Sequence, residues 1–492
     1  MGNILTELTL PTILTANSRS FFLLPQMIAL SFIFFLLLFT VVGIYAATQK
    51  QDTTTDYLLA GRKVNPWAIA LSALSTGQSG FLFTAQVGYS YTQGLSSIWL
   101  AVGWALGDYL AWLLVFKKLR LVSEASESET VPAFLAQKQP GYRWICVISA
   151  LITIFFLGTY AAAQLLAGSK ALNSLFGWDY AWGIIIGAVV VVVYCFSGGI
   201  RASIWTDSVQ TIVMIGALLI LLAVSLSVSG GVGNIYTNLR QIDANLVRLF
   251  PTNLAWGIMP FFIGWLAAGF GAVGQPHIVV RAMAIDSADN MGKARDIRTI
   301  CGLITAFAAI FIGLAARVLL TNLPDSYDSE LALLDLSQSL LPGILVGVIL
   351  AGLFAATIST ADSQILSCSA ALTQDLFPGL AKSYKFAKIG TLIVTAIVLA
   401  IALVNNDSVF GLITFAWSIL ASGLGVLLIL RSFERPVSTP VAIAVMISGI
   451  AVSMIWKLGL DLSGAMYEVF PGMAAGFLIY LIASLVANPQ KV

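Results

Sequence analysis

The residues best suited to chemistry in this chain are hydroxyls and carboxylates set inside long apolar runs. Ser359, Thr360 and Ser363 fall within about one helical turn of each other. Ser359 and Ser363, at i and i+4, share a helix face, and Asp362 lies among them. Hydroxyls combined with freed backbone carbonyls form an all-oxygen site, which suits a hard cation. For a monovalent ion such as Na+, one nearby carboxylate suffices to balance the charge. The structural alternative is a set of hydroxyls bonded to their own i−4 carbonyls. Two more acids sit in or at the ends of apolar runs. Asp108, in Gly107-Asp108-Tyr109, reads as an interhelical hydrogen-bond partner. Asp207, in Trp205-Thr206-Asp207 after Gly198-Gly199, reads either as a helix cap or as part of an ion path. Carboxylates at bilayer depth are costly and usually face a cavity or an ion route.

A second polar group interrupts an earlier apolar run. Ser72, Ser75, Thr76, Gly77, Gln78, Ser79 and Gly80 fill seven of nine consecutive positions. Such a run weakens a helix, and its hydroxyls can re-satisfy freed carbonyls. The spacing therefore predicts a helix broken at mid-membrane, the device by which transporters expose carbonyls to a cation and a half-helix N-terminus to an anion. Small-residue helix packing is the alternative reading. A comparable interruption, rich in Gly and Pro, runs from Pro260 to His277.

The elements that must position these groups follow from composition. Of 492 residues 59% are hydrophobic and 10% charged, with mean hydropathy +0.92. A soluble domain is about 25% charged, so a soluble enzyme is excluded. Apolar runs predict thirteen spans, near 24–47, 66–92, 96–116, 144–171, 182–198, 204–230, 255–280, 298–320, 339–370, 386–404, 408–430, 438–456 and 466–487. They are too long and too little alternating for a barrel. The fold expected is an all-α polytopic membrane protein. The two interrupted spans, second and seventh, lie five apart, which points to a 5+5 inverted repeat with the site between its halves. The chain then divides into 1–65 (tail, first peripheral helix and loop), 66–230 (first repeat), 255–430 (second repeat) and 438–492 (two peripheral helices and tail). Residues 1–23 read as a short mature tail.

Lys and Arg split 19 against 6 between alternate loops, which together account for all 25. Placing the basic side in the cytoplasm sets the N-terminus outside and the C-terminus inside a plasma membrane, with Asp325, Asp328, Glu330 and Asp335 facing outward. Net charge +2 with no basic aromatic patch argues against a nucleic-acid partner. Cys146, Cys195, Cys301 and Cys368 share no ligand-like spacing and read as small buried side chains. His277 is the one histidine, which excludes a His-based metal centre. No nucleophile–base–orienter set can be assembled, so a membrane enzyme is not expected.

These motifs resemble the sodium:solute symporter family, and its bacterial sodium/proline symporters in particular, from about residue 55 to 480. The matching stretches are Ala70-Leu71-Ser72-Ala73 with Ser79-Gly80; Gly198-Gly199 with Trp205-Thr206-Asp207 and Gln210; Gly274-Gln275-Pro276-His277; and Ser359-Thr360 with Gln364, Leu366 and Asp375. The resemblance implies a LeuT-like fold and Na+ as coupling ion, with no further cofactor. It implies a Na+ site made of the carbonyls of Ser75, Gln78 and Ala356 with the hydroxyls of Ser359 and Thr360. A second ion or exit path would use Asp207, Asp362 and Ser363. Substrate would lie near Ser79, Gly80 and Tyr160 and against Ala268, Phe270 and Ala272. His277, after its motif, is expected to play a helix-end structural role.

Two departures from the family pattern stand out. Gly77 occupies the position of an Asp that the sodium/proline symporters carry in this helix; Asp362 is the expected replacement. Ala268 and Ala272 stand where a Trp and a Tyr are expected, so Phe81, Phe270 or Trp265 would have to refill the cavity. The reading is Na+-coupled symport of a small organic solute, an amino acid such as proline, by alternating access. A proton-coupled carrier of the same fold and a transporter-like membrane sensor are the alternatives.

Overall fold

The structure, a computed structural model, describes residues 18–486 except 50, 52, 138–139, 252–253, 322, 325, 381–382 and 405–407. The expected tails at 1–17 and 487–492, Asp325 of the acidic stretch, and Lys50, Lys138, Lys382 and Lys491 of the charge tally lie outside these residues. The described residues are helical throughout, apart from connecting turns and a single parallel bridge between Val64 and Ile285.

The principal helices are α1 (Ser18–Thr48), α2 (Pro66–Phe81), α3 (Ile98–Ala111), α4 (Gly158–Phe176), α5 (Tyr180–Val228), α6 (Ile258–Phe270), α7 (Pro276–Ala284), α8 (Met291–Leu319), α9 (Gly343–Ala370), α10 (Tyr384–Val404), α11 (Val409–Leu420), α12 (Thr439–Met454) and α13 (Val469–Val486). Helix α1 begins at Ser18, inside the stretch expected to be tail. Ten helices are long and apolar enough to cross a membrane, or eleven when the bent pair α6–α7 counts as one span. This measure does not return the thirteen spans expected. Residues 66–125 are a chain of helical segments, broken at Ser79 and turned at Gly94 (φ 65°, ψ −146°), so the expected second and third spans part between Gln93 and Ile98. The expected break after residue 198 is present within α5, where Gly199 at φ 57° and ψ −146° leaves the helical region and two helices meet.

Local chemistry explains where the central helices start. Asn65 caps α2 by accepting the Ala68 N–H at 2.9 Å, and Pro66 follows at the first helical position. Asp179 caps α5 through the Ala181 N–H at 2.8 Å. Pro276 opens α7, which leaves α6 at an angle of 58° across Gly271–Gln275. Helix α9 is buried along almost its whole length, hydroxyls included. It is therefore a central post, and its polar residues must find partners inside the bundle. Outward-facing residues of α1, α12 and α13 are large and apolar, among them Leu30, Phe34, Ile447 and Leu485, as lipid contact requires.

Helices α3 and α6 pack backbone to backbone. A Cβ added at Gly107 would collide with the Leu266 carbonyl, and one at Gly269 with the Trp104 carbonyl. Small residues that let helices approach this closely are a membrane packing device. At one end of the bundle Arg62 ties the segment before α2 to the end of α7. Its guanidinium donates to the Met283 carbonyl at 3.0 Å and to the Ser128 carbonyl at 2.7 Å. Val64 N–H donates to the Ala284 carbonyl at 3.2 Å beside it.

Candidate functional site

Helix α2 is broken where its hydroxyls and glycines cluster. Ser79 adopts φ 53° and ψ −170°, outside the helical region and in a conformation rare for a side-chain-bearing residue. Such strain persists only where the surroundings enforce it, and it concentrates at functional sites. Here Tyr160 of α4 donates its hydroxyl to Ser79 Oγ at 3.3 Å, and the Gly80 N–H donates to Gln164 Oε1 at 2.9 Å. Ser79, Gly80 and Tyr160, the expected substrate group, therefore meet.

The N-terminal half of α2 lies against the hydroxyl turn of α9. Ser75 Oγ and Ser359 Oγ are 2.6 Å apart. Thr360 Oγ1 stands 3.4 Å from the Ser75 carbonyl and 3.3 Å from that of Thr76. Both α9 hydroxyls also reach the Ala356 carbonyl, at 3.2 and 2.9 Å. All of these residues are buried, and Thr76 Oγ1 has no hydrogen-bond partner. Oxygens from two helices thus converge in a dry place, and the hydroxyl of Thr76, whose carbonyl is among them, is unsatisfied. That donor set fits a small hard cation. Gln78 is arranged differently. Its carbonyl accepts from the Leu82 N–H, and its side chain turns toward α8, donating to the Gly302 carbonyl at 3.2 Å and accepting from Thr305 at 2.9 Å.

One helical turn away, Asp207, Asp362 and Ser363 come together as expected, but around a residue the sequence did not single out. Arg281, on α7 and fully buried, donates to Asp207 Oδ2 at 2.9 Å, Ser72 Oγ at 2.7 Å, Ser203 Oγ at 3.0 Å and the His277 carbonyl at 2.6 Å, and it also contacts Ser363. Ser203 and Ser363 donate to Asp362 Oδ1 at 3.1 and 2.8 Å. A guanidinium thus sits between the two acids, and counting Arg281 as a loop charge does not hold. Burial of this triad is sustainable only because the charges are paired and hydrogen-bonded. Asp207 does not cap a helix. It lies inside α5, eight residues past Gly199; its Oδ2 is engaged by Ser72 and Arg281, while its buried Oδ1 has no hydrogen-bond partner.

The wall opposite Tyr160 comes from α6, the turn after it, and α11. Ala268 and Ala272 are fully buried, and Phe270 is half-buried. Trp417, on α11, fills the room beside the alanines, donating Nε1 to the Ala268 carbonyl at 2.8 Å. It lies 4.8 Å from Trp104 and 6.4 Å from Tyr160, ring to ring. Phe81 and Trp265 each stack on Trp104, at 5.6 and 6.1 Å. Of Phe81, Phe270 and Trp265, the rings expected to refill the cavity, Phe81 lines the one beside Tyr160, together with Trp104, whose position in an uninterrupted apolar run gave no signal; Trp265 lines a separate cavity with Phe261 and Tyr467. His277 is buried with both ring nitrogens unpartnered, edge-on to Tyr160 at 5.8 Å.

The position of Gly77 completes the geometry. Arg298 of α8 reaches into the space a side chain there would take, and it pairs with Asp108 of α3. Asp362, the replacement expected from sequence, is instead engaged with Ser203 and Ser363. All four cysteines are free; Cys146, Cys195 and Cys368 are buried as expected, and Cys301 is only half-buried. Among the described residues no cluster of His, Cys, Asp and Glu could hold a metal in the usual way.

Comparison with known proteins gives the same picture. A profile of the sodium:solute symporter family matches residues 57–449. The chain is 31% identical over 458 residues to the high-affinity proline transporter PutP of Bacillus subtilis, covering 91% of this chain and 96% of that one. It is 29% identical to the sodium/proline symporter of Escherichia coli, covering 90% of each. A Na+-coupled sialic acid symporter, solved substrate-bound and outward-open, superposes with TM-score 0.76 at 21% identity, over 94% of this chain and 98% of that one. At that identity the likeness shows the fold, which is LeuT-like. With a family profile spanning most of its length and a relative above 30% identity along nearly all of it, this chain is a multi-pass membrane transporter, not an enzyme, and belongs to the sodium:solute symporter family.

Proposed function

We propose that this protein couples Na+ entry to uptake of a small amino or imino acid, proline being the first candidate, by alternating access. Relatives along the whole chain are named for proline and for sodium/proline symport, which supports that choice. The observation that carries the reading is the meeting, beside the break in α2, of the Ser359 hydroxyl with the Ser75 hydroxyl and of the Thr360 hydroxyl with the Ser75 and Thr76 carbonyls. Na+ bound there bridges two helices that must separate for the site to open inward. Ion and solute then favour the same conformations, and the linkage is reciprocal. Substrate lies beside Ser79, Gly80 and Tyr160, walled by Ala268, Ala272 and the neighbouring rings. Ser75, Ala356, Ser359 and Thr360 hold the ion, with the Gln78 carbonyl joining if the turn after it opens. Asp207, Asp362 and Ser363 mark the ion's exit.

In this reading 66–230 and 255–430 are the inverted repeats, with 1–65 and 438–492 peripheral. The basic side faces the cytoplasm of a plasma membrane, with the N-terminus outside and the C-terminus inside. The membrane potential adds about 2.3 kcal/mol per charge per 100 mV to the ion's driving force. The test is uptake by proteoliposomes under a Na+ gradient. The Ser359→Ala/Thr360→Ala variant should lose Na+ stimulation; undiminished stimulation refutes the bridging site. Uptake driven equally well by a pH gradient without Na+ would point to the proton-coupled alternative.

A further inference from the structure

We propose that the Asp108–Arg298 pair is a receptor for the two charges of a zwitterion, and so sets the chemical class of the solute. A cavity of about 80 Å³ opens beside the break in α2 and is lined by Gln78, Phe81, Trp104, Asp108, Tyr160 and Arg298. One end of it is the aromatic group already described. The other is this ion pair, between α3 and α8, with the two residues 4% and 7% exposed. Asp108 uses only Oδ2 on Arg298; its Oδ1 is buried and has no hydrogen-bond partner. The guanidinium has its place because position 77 is glycine. A Cβ there would stand 2.9 Å from Arg298 Nη2.

A buried acceptor without a partner is unfavourable, and native structures leave few of them. One lining a cavity beside a substrate site is an acceptor for a ligand donor. Charge decides what kind of ligand. The pair is formally neutral, so a ligand bearing only a carboxylate or only an ammonium would leave one uncompensated charge in a dry place. A zwitterion adds none: its ammonium donates to Asp108 Oδ1 and its carboxylate accepts from Arg298. Phe81 and Trp104 then face the ligand's apolar part. The solute class is an amino or imino acid with both charges close together. This inference rests on the reading of the chain as a solute symporter and deepens it.

The test uses the full-length protein in proteoliposomes under a Na+ gradient, with proline and a panel of amino acids. Each accumulated solute is then competed against its amide, which is only cationic, and its oxygen-for-nitrogen analogue, which is only anionic. A zwitterion should accumulate, and both single-charge analogues should compete about tenfold more weakly or worse, a factor of ten being about 1.4 kcal/mol. Asp108→Asn should raise KM about tenfold for the zwitterion and far less for the anionic analogue, with the half-saturating Na+ concentration for ion binding unchanged. An unchanged KM, equal competition by the analogues, or a panel in which no zwitterion accumulates overturns the proposal. If Asp108→Asn does not fold, Asp108→Asn/Arg298→Gln removes both charges together. That variant should bind Na+ but lose its preference for zwitterions, and a retained preference overturns the proposal. Accumulation that survives replacement of Na+ by choline, yet falls in Asp108→Asn, sinks the symport reading and leaves the subsite standing.

Discussion

Ser75 Oγ and Ser359 Oγ stand 2.6 Å apart although 284 residues separate them in sequence. The contact fixes the register between a broken helix and the central post of the bundle. In the proposed ion site the two residues contribute unequally: Ser359 would offer its hydroxyl, Ser75 its carbonyl. Ser359→Ala should raise the half-saturating Na+ concentration of uptake about tenfold, whereas Ser75→Ala should change it less than about threefold. Na+ titrations of initial uptake rates would check this, and equal effects would contradict the assignment.

Arg281 holds Asp207 and, through Ser203 and Ser363, Asp362. Arg281→Gln leaves two buried acids without their cation, and breaking a buried pair costs about 3–5 kcal/mol. A marked fall in Tm in detergent is expected. Adding Asp207→Asn to that variant should recover part of it, because the uncompensated charge goes with it. A double variant no more stable than the single one would show that the pair is not the source of the loss.

Gly269→Ala should be among the most damaging conservative changes in the chain. The new methyl meets backbone, the Trp104 carbonyl, which cannot rotate away. Overpacking costs about 1–3 kcal/mol, and this case belongs at the upper end. Gly292→Ala, where nothing lies within 4 Å, is the control and should leave Tm nearly unchanged.

Outside the spanning helices, Tyr327 donates to Asp335 Oδ2 at 2.7 Å, and burial pushes the Asp335 carboxyl above its ordinary range. Folded Asp335 therefore holds its proton more tightly than the unfolded chain does. The stability this contributes is present below the unfolded value of about 3.9 and is lost as pH rises through the elevated folded value. Between pH 4 and pH 6 the wild type should consequently lose more stability than Asp335→Asn, as followed by thermal melts (those pH values being about the window just above the unfolded carboxylate value). Parallel curves would exclude this carboxyl as the cause.

Much of the site could be read from local sequence because its signals were themselves local. Seven polar or small residues between Ser72 and Gly80 had no business in a lipid-facing helix, and the chain breaks at Ser79 among them. The hydroxyl turn around Ser359 and Thr360 stood out in the same way. What stayed hidden were partners supplied from far along the chain. Arg281 and Arg298 look like loop charges near span ends, and only the packing of α7 and α8 carries them inside. Trp417 is one aromatic among many in an apolar run, and its hydrogen bond to Ala268 depends on how α11 meets α6. Asp207 follows a glycine pair that does mark a break in α5, at Gly199, but it lies eight residues beyond, too far into the next helix to cap it. Single glycines mark where a helix can bend; the tertiary setting decides whether it stops.

The close seam between α3 and α6 limits how this transporter can move. With carbonyls pressed against glycines at Gly107 and Gly269, sliding or rolling of one helix past the other is opposed, so any movement should carry the two together. If they move in transport, flexure on the α6 side falls to the short Gly271–Gln275 turn before α7, and the Asp108–Arg298 pairing between α3 and α8 is the contact such a swing would strain.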